Sequence, residues 1–157
     1  MVFTFIDTPM GRLRAAEDKG KLIALDRMTE PFPGAEEEKS GLLLRLEAEL
    51  HEYFSGKRRT FDIPIHVEDT PFRMKCYEGL MSIPYGETRS YKWLAEYAGS
   101  PKGARAAGGA CHKNPILILV PCHRVMGSDG SFTGFGPGID KKAMLLALES
   151  EEKCPEK

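Results

Sequence analysis

Between positions 42 and 54 apolar residues return every three or four places: Leu43, Leu46, Leu50, Tyr53 and Phe54, with Arg45, Glu47, Glu49 and Glu52 between them. That period puts one apolar face on a helix, expected near 36–55 and ended by Gly56. Upstream the pattern is different. VFTFI at the start is rich in β-branched and aromatic residues, Gly11 and the polar DKGK at 18–21 interrupt it, and LIALDRM follows. Residues 1–28 therefore read as an antiparallel hairpin or meander. TEPFPGAEEEK at 29–39 is a polar, proline-containing loop, and TFDIPI at 60–65 a short strand or extended segment.

HVEDT at 66–70 marks a change of character. It divides an N-terminal α+β lobe, 1–68, from a mostly helical C-terminal part, 69–157. Pro71 suits the first position of a helix capped by Asp69 or Thr70 and running to Pro84. YGET at 85–88 is a turn. SYKWLAEYAG at 90–99 is a short helix with Ser90 as its cap and Gly99 as its terminator. Ser100 and Pro101 then start another helix, which gives the helix, short turn, helix outline of a helix-turn-helix. ILILV at 116–120 is a buried strand or extended segment, and MGSDGSFTGFGPG at 126–138 a glycine-rich loop. A last helix begins near Asp140 and carries Ala143, Leu146 and Ala147, with Leu145 and Leu148 beside them.

Composition narrows the function classes. The chain has 157 residues, 41% of them hydrophobic, enough for one domain or two small ones with a packed core. The net charge of −1 and a pI near 6.4 offer no global positive field, so any contact with nucleic acid has to be local. Cys76, Cys111, Cys122 and Cys154 are irregularly spaced in a chain too long for a disulfide scaffold. No basic segment followed by a long apolar run opens the chain, and no run nears the ~18 apolar residues of a membrane span. These features lead us to expect a soluble, cytoplasmic protein in a reducing compartment, with no membrane partner.

Two stretches carry chemistry. The helix KGARAAGGACHK holds three glycines, and each costs about 1 kcal/mol relative to alanine in a helix interior. Nearly every other side chain in it is small, and Arg105 stands among them as the one long cation of its centre. Such a helix serves either close packing against another helix or close approach to a nucleic-acid groove with Arg105 as a probe. The second stretch is LVPCHRV at 119–125. Cys122 is either a small buried hydrophobe or a nucleophile beside its base, His123. Neighbours on a strand point to opposite faces, so a thiol–imidazole pair needs a turn at 122–123 or a bridging water. A nearby helix N-terminus would lower the thiol pKa. Cys111-His112 and Cys122-His123 also supply four zinc-type ligands, but adjacent residues diverge where paired ligands need a turn between them.

The stretch IPYGETRSYKWLAEYAGSPKGARAAGGACHKNPILILVPCHRVMGSDGSFTGFGPG, followed by Lys142 and LLALE, resembles the 6-O-methylguanine-DNA methyltransferases. The resemblance covers about half the chain, roughly 70–149, and the N-terminal lobe is consistent in size. It implies an α+β protein. A small antiparallel sheet and a helix would form a ribonuclease H-like lobe, and the helical part would carry a helix-turn-helix similar to that of winged-helix proteins. It implies a DNA repair activity that flips 6-O-alkylguanine, and 4-O-alkylthymine, out of duplex DNA. The alkyl group is then transferred irreversibly to the protein's own cysteine, once per molecule and without a cofactor.

The resemblance also implies roles. Cys122 matches the alkyl acceptor, His123 the base that reaches the thiol through a water, and Glu149 the carboxylate that orients that histidine. Asn114 matches a hinge side chain tying the recognition helix to the active-site turn. Tyr91 matches a phenol that helps rotate the nucleotide and donates to the leaving guanine. Val125 matches a backbone carbonyl for the guanine amino group, and Phe135 and Gly136 match positions lining the pocket. Arg105 matches the finger that replaces the extruded base, and Ala104, Gly108, Lys92, Ser100 and Ser128 match DNA contacts. The partner implied is double-stranded DNA approached through the minor groove by a monomer. Position 135 is Phe where the family usually has Tyr, and position 137 is Pro where glycine is common. No N-terminal Cys and His set for the structural zinc of some members is present, so no metal is expected. Relatives that bind alkylated DNA without transfer lack the acceptor cysteine, which this chain has. A Cys–His hydrolase would leave the helix-turn-helix unexplained.

Overall fold

The computed structural model describes residues 1–127 and 139–151. The chain divides into two compact units: Met1–Val67 with Pro115–Leu117, and Glu68–Asn114 with the chain from Ile118 onward.

The first unit is a four-stranded sheet with one helix. β1 (Val2–Thr8), β2 (Gly11–Asp18) and β3 (Lys21–Asp26) form an antiparallel meander, and β4 (Glu36–Glu37) pairs parallel with β1, so the sheet is mixed in the order β3-β2-β1-β4. Gly11 and Gly20 turn the two hairpins with φ of 107° and 80°, a region closed to most side chains. Helix α1 (Gly41–Phe54) starts later than expected because β4 occupies Glu36–Glu37. Ser40 caps it, accepting from the Leu43 amide at 3.2 Å. Leu43, Leu46, Leu50 and Tyr53 are buried on the predicted face.

Two extended segments join the sheet only as single parallel bridges, Leu22 with Ile65 and Leu25 with Ile116. In each the preceding proline, Pro64 or Pro115, accepts a bond from β3 but has no N–H to lengthen the ladder. The expected strand at 116–120 is therefore a buried turn, and Ile118 sits in it at φ 70°, a left-handed conformation rare for a β-branched residue.

The second unit holds α2 (Pro71–Met81), β5 (Arg89–Ser90), α3 (Tyr91–Tyr97), α4 (Ala104–His112), a 3₁₀ turn (Cys122–Arg124), β6 (Val125–Met126) and α5 (Ile139–Glu151). Thr70 and Ser90 cap α2 and α3 with their hydroxyls. At Gly79 a Cβ would lie 2.9 Å from side-chain carbons of Leu94 and Tyr97, so α2 and α3 pack through a missing side chain. The helix-turn-helix of α3 and α4 has a longer turn than expected. Ser100–Gly103 forms a closed turn, with the Gly103 amide bonded to the Ser100 carbonyl at 2.8 Å. The second helix therefore begins at Ala104 rather than at Pro101. No helix among the described residues is long and apolar enough to cross a membrane.

Candidate active site

The local fold of LVPCHRV removes the geometric obstacle noted for adjacent residues. Pro121 has φ −80° and ψ 67°, and the Cys122 amide bonds back to the Val120 carbonyl at 2.8 Å, an inverse γ-turn. The chain then winds into one 3₁₀ turn, so Cys122, His123 and Arg124 fan out instead of alternating. All three are buried. Asn114 holds the start of this turn, its Nδ2 donating to the Val120 carbonyl at 2.7 Å.

His123 is fully buried and its Nε2 lies 2.8 Å from Oε2 of Glu149. Hydrogen bonds and charge from His123 and Arg124 outweigh burial and hold the Glu149 carboxyl far below the usual carboxylate range. An ionised carboxylate only accepts, so Nε2 carries the proton and the Nδ1 lone pair is left bare. Nδ1 is buried and has no partner among the described residues. Burial pushes the His123 pKa down against the pull of Glu149, and Arg124 and Lys142 push the same way, so the ring is neutral.

Arg124 grips the same carboxylate as a fork: Nε donates to Oε1 and Nη2 to Oε2, each at 2.9 Å. Its Nη1 donates to the Ile83 carbonyl at 2.7 Å, and the guanidinium lies 5.7 Å from the Tyr85 ring centroid.

Helix α5 does not bury the apolar stripe expected of it. Its buried positions are Lys142, Leu145 and Glu149, while Ala147 is exposed. Burial of the two charges is sustained by partners from other elements. Lys142 Nζ donates to the Val125 carbonyl and, at 3.3 Å, to the Tyr91 hydroxyl, and it lies 5.4 Å from that ring. The parallel pairing of β5 with β6, Arg89 opposite Val125, brings Tyr91 and Val125 to one ammonium. Sequence reasoning noted Lys142 only as part of a motif and gave Arg124 no role. The available signal was a Lys–Glu pair seven residues apart on one face of a helix.

Burial is the largest influence on the Cys122 thiol and pushes it up to about 11, with Asn114 and Lys142 pulling partway back. The resting sulfur is therefore a thiol. The two Cys-His pairs do not converge, since His112 is exposed while Cys111, Cys122 and His123 are buried. Among the described residues no group of three His, Cys, Asp or Glu side chains suits a metal ion.

On α4, Ala107, Ala110 and Cys111 face inward, while Arg105, Ala106, Gly109 and His112 are exposed. A Cβ at Gly109 would meet nothing within 4 Å, so no neighbour among the described residues requires a glycine there. At Gly108 a Cβ would touch the Tyr91 ring at an ordinary 3.9 Å. Ala104 and Ser100 are half-buried and Lys92 is exposed. Ser128, Phe135, Gly136 and Pro137 lie outside the described residues.

Family comparisons agree along the whole chain. The ribonuclease-like domain of 6-O-methylguanine DNA methyltransferase matches residues 1–67, and the DNA binding domain of the same family matches residues 71–151. A methylated-DNA–protein-cysteine methyltransferase of Methanosarcina barkeri is 40% identical over 95% of this chain and 97% of its own. A constitutive one from Bacillus subtilis is 38% identical over 94% of each. The crystal structure of Mycobacterium tuberculosis OGT in complex with DNA superposes with a TM-score of 0.90 at 38% identity, covering 97% of this chain and 94% of that one. Residue pattern, fold and relatives converge, and the chain belongs to the 6-O-methylguanine-DNA methyltransferase family.

Proposed function

We propose that this protein repairs alkylated DNA by moving the alkyl group from 6-O-alkylguanine, and from 4-O-alkylthymine, to its own Cys122, once per molecule. The observation that carries the reading is the buried turn holding Cys122 and His123, with Glu149 of α5 at 2.8 Å from His123 Nε2 and Nδ1 left without a partner among the described residues. In the transfer, the thiol proton passes through a water to His123 Nδ1. The sulfur attacks the alkyl carbon, an S–C bond forms, and the C–O bond breaks toward guanine. Glu149 stabilises the imidazolium that results. Tyr91 donates to the leaving base, and the Val125 carbonyl accepts from its amino group.

A stacked base cannot reach a buried sulfur, so the nucleotide has to leave the duplex. The exposed small-residue face of α4 suits close approach to the minor groove, with Arg105 filling the gap left in the stack. Lys92, Ser100, Ala104, Gly108 and Ser128 supply contacts to the DNA backbone, and Phe135 and Gly136 line the base pocket. The two functional charges of α5 and the thiol form a closed set, and we assign the protein no cofactor. It acts as a cytoplasmic monomer on 1–68 and 69–157 as its two parts.

Intact mass after incubation with duplex DNA containing 6-O-methylguanine tests the reading. One added methyl group per protein, mapped to Cys122 and absent in Cys122→Ala, is the expected result. Tight binding with unchanged mass would identify a damage-binding protein instead, and repeated turnover a hydrolase.

A further inference from the structure

We propose that Arg124 is the positioning residue that keeps His123 a base, by holding the charge of Glu149 so that the carboxylate orients the imidazole without drawing a second proton onto it. The inference rests on the transfer site proposed above and goes beyond it.

The starting point is a conflict inside the site. Without Arg124, a carboxylate that is 1% exposed would face the neutral His123 ring and, at 3.5 Å, the Gly86 amide, and its charge would be poorly compensated. The cheapest relief is to draw a proton onto His123 and make a carboxylate–imidazolium pair. That pair would be inert as a base, since both ring nitrogens would carry protons. The structure avoids this state through Arg124. Its guanidinium, 8% exposed, spans both oxygens of Glu149 at 2.9 Å. Arginine does not titrate, so the fork neutralises the carboxylate at every working pH. Glu149 Oε2 is then shared between Arg124 Nη2 and His123 Nε2, which fixes the tautomer and leaves Nδ1 open.

The guanidinium is itself immobilised. The Ile83 carbonyl takes its third donor at 2.7 Å, and the Tyr85 ring lies beside it. The groups facing His123 can be named from each packed element. Helix α5 brings Glu149 and Lys142, and the 3₁₀ turn itself brings Cys122 and Arg124. With both cations present, a proton on His123 would add to a net positive cluster. Remove Arg124, and protonation of His123 is still opposed by burial, the largest influence, and by Lys142, but less than before. Both cations act on the ring in that direction, with Arg124 the stronger of the two.

The test is the pH profile of single-turnover methyl transfer, with the site of methylation read by mass, for the wild-type protein, Arg124→Gln and Arg124→Lys. In Arg124→Gln the acid limb moves up by about one pH unit, so the rate falls about tenfold at a pH on the wild-type acid limb and recovers as pH rises. Arg124→Lys keeps a cation but not the fork, so its acid limb stays near the wild-type position with a lower plateau. A structural role alone would lower the plateau and leave the limb in place, and that outcome overturns the inference. Should the variants not fold, ¹⁵N NMR of His123 in the wild-type protein decides: a neutral ring protonated at Nε2 supports the proposal. An imidazolium, or a ring protonated at Nδ1, overturns it. Failure of wild-type transfer to Cys122 would instead remove the transfer site, an outcome separate from either result on Arg124.

Discussion

Glu149 accepts from Nε and Nη2 of Arg124 and from Nε2 of His123, all within 2.9 Å. An isosteric amide cannot serve them all, because its NH₂ group would face a donor. Glu149→Gln should therefore cost about 3 kcal/mol of stability, the scale of a broken buried ion pair, measured by urea unfolding. It should also slow alkyl transfer by about 100-fold, the usual weight of an oriented base. A transfer rate that holds while stability drops would confine Glu149 to a structural role. The sequence motif pointed to Cys122 and His123 directly, because their chemistry is written in their side chains. Arg124 was legible only as a letter of PCHRV, since its role depends on a carboxylate 25 positions away.

Helix α4 packs with one face and exposes the other: Ala107, Ala110 and Cys111 are buried, Arg105, Ala106, Gly109 and His112 are exposed, and among the described residues a Cβ at Gly109 would meet nothing within 4 Å. Gly109→Ala should then stabilise the protein by about 1 kcal/mol, seen as a raised thermal midpoint, because it improves helix propensity without a clash. The same variant should weaken binding to duplex DNA in a fluorescence-anisotropy titration. A stabilised protein with unchanged DNA affinity would remove the close-approach reading of this face. Arg105→Ala separates the duplex step from the chemical one. Repair of alkylated duplex should fall far more than reaction with free alkylguanine base, and equal losses would remove the finger role. Elements with a strong local period or cap, such as α1, α2 and α3, were readable from sequence. The segment at 116–120, expected to be a buried strand or extended segment, is buried but makes only one bridge, because it lies between Pro115 and Pro121.

The buried titratable groups give the protein a stability window. Glu149 has a folded pKa below its ordinary value, so its contribution is present above the usual carboxylate range and lost as pH falls through and below it. His123 is likewise depressed: the unfolded chain takes up the proton more readily as pH falls below 6.5, and stability falls with it. Cys76 and Cys122 act at the other end. Burial raises both from 9.0 to about 11, so their contribution is full below 9.0 and is lost as pH rises above it. Urea midpoints should decline as pH falls below 6.5, and above 9.0 the loss from these thiols is set against a gain from Lys142, whose pKa burial lowers from 10.5. A midpoint that keeps rising into acid would contradict these assignments. Net charge of −1 has no part in this window, since it arises from groups that composition cannot locate.

Local rules were enough for the α+β class, the helix cap at Ser90, the choice of Asp69 or Thr70 at the start of α2, and Cys122 as a candidate nucleophile. Each rests on neighbours within a few residues, where propensity and periodicity operate. The order of the sheet, with β4 added parallel to β1, depended on long-range pairing. So did the burial of Lys142 and Glu149 on one face of α5. A charged side chain reads as solvent-facing until its partners are known. The Val125 carbonyl, Tyr91, His123 and Arg124 reach those charges from other elements, and hydrogen bonds made across the fold turn two apparent surface residues into the centre of the site.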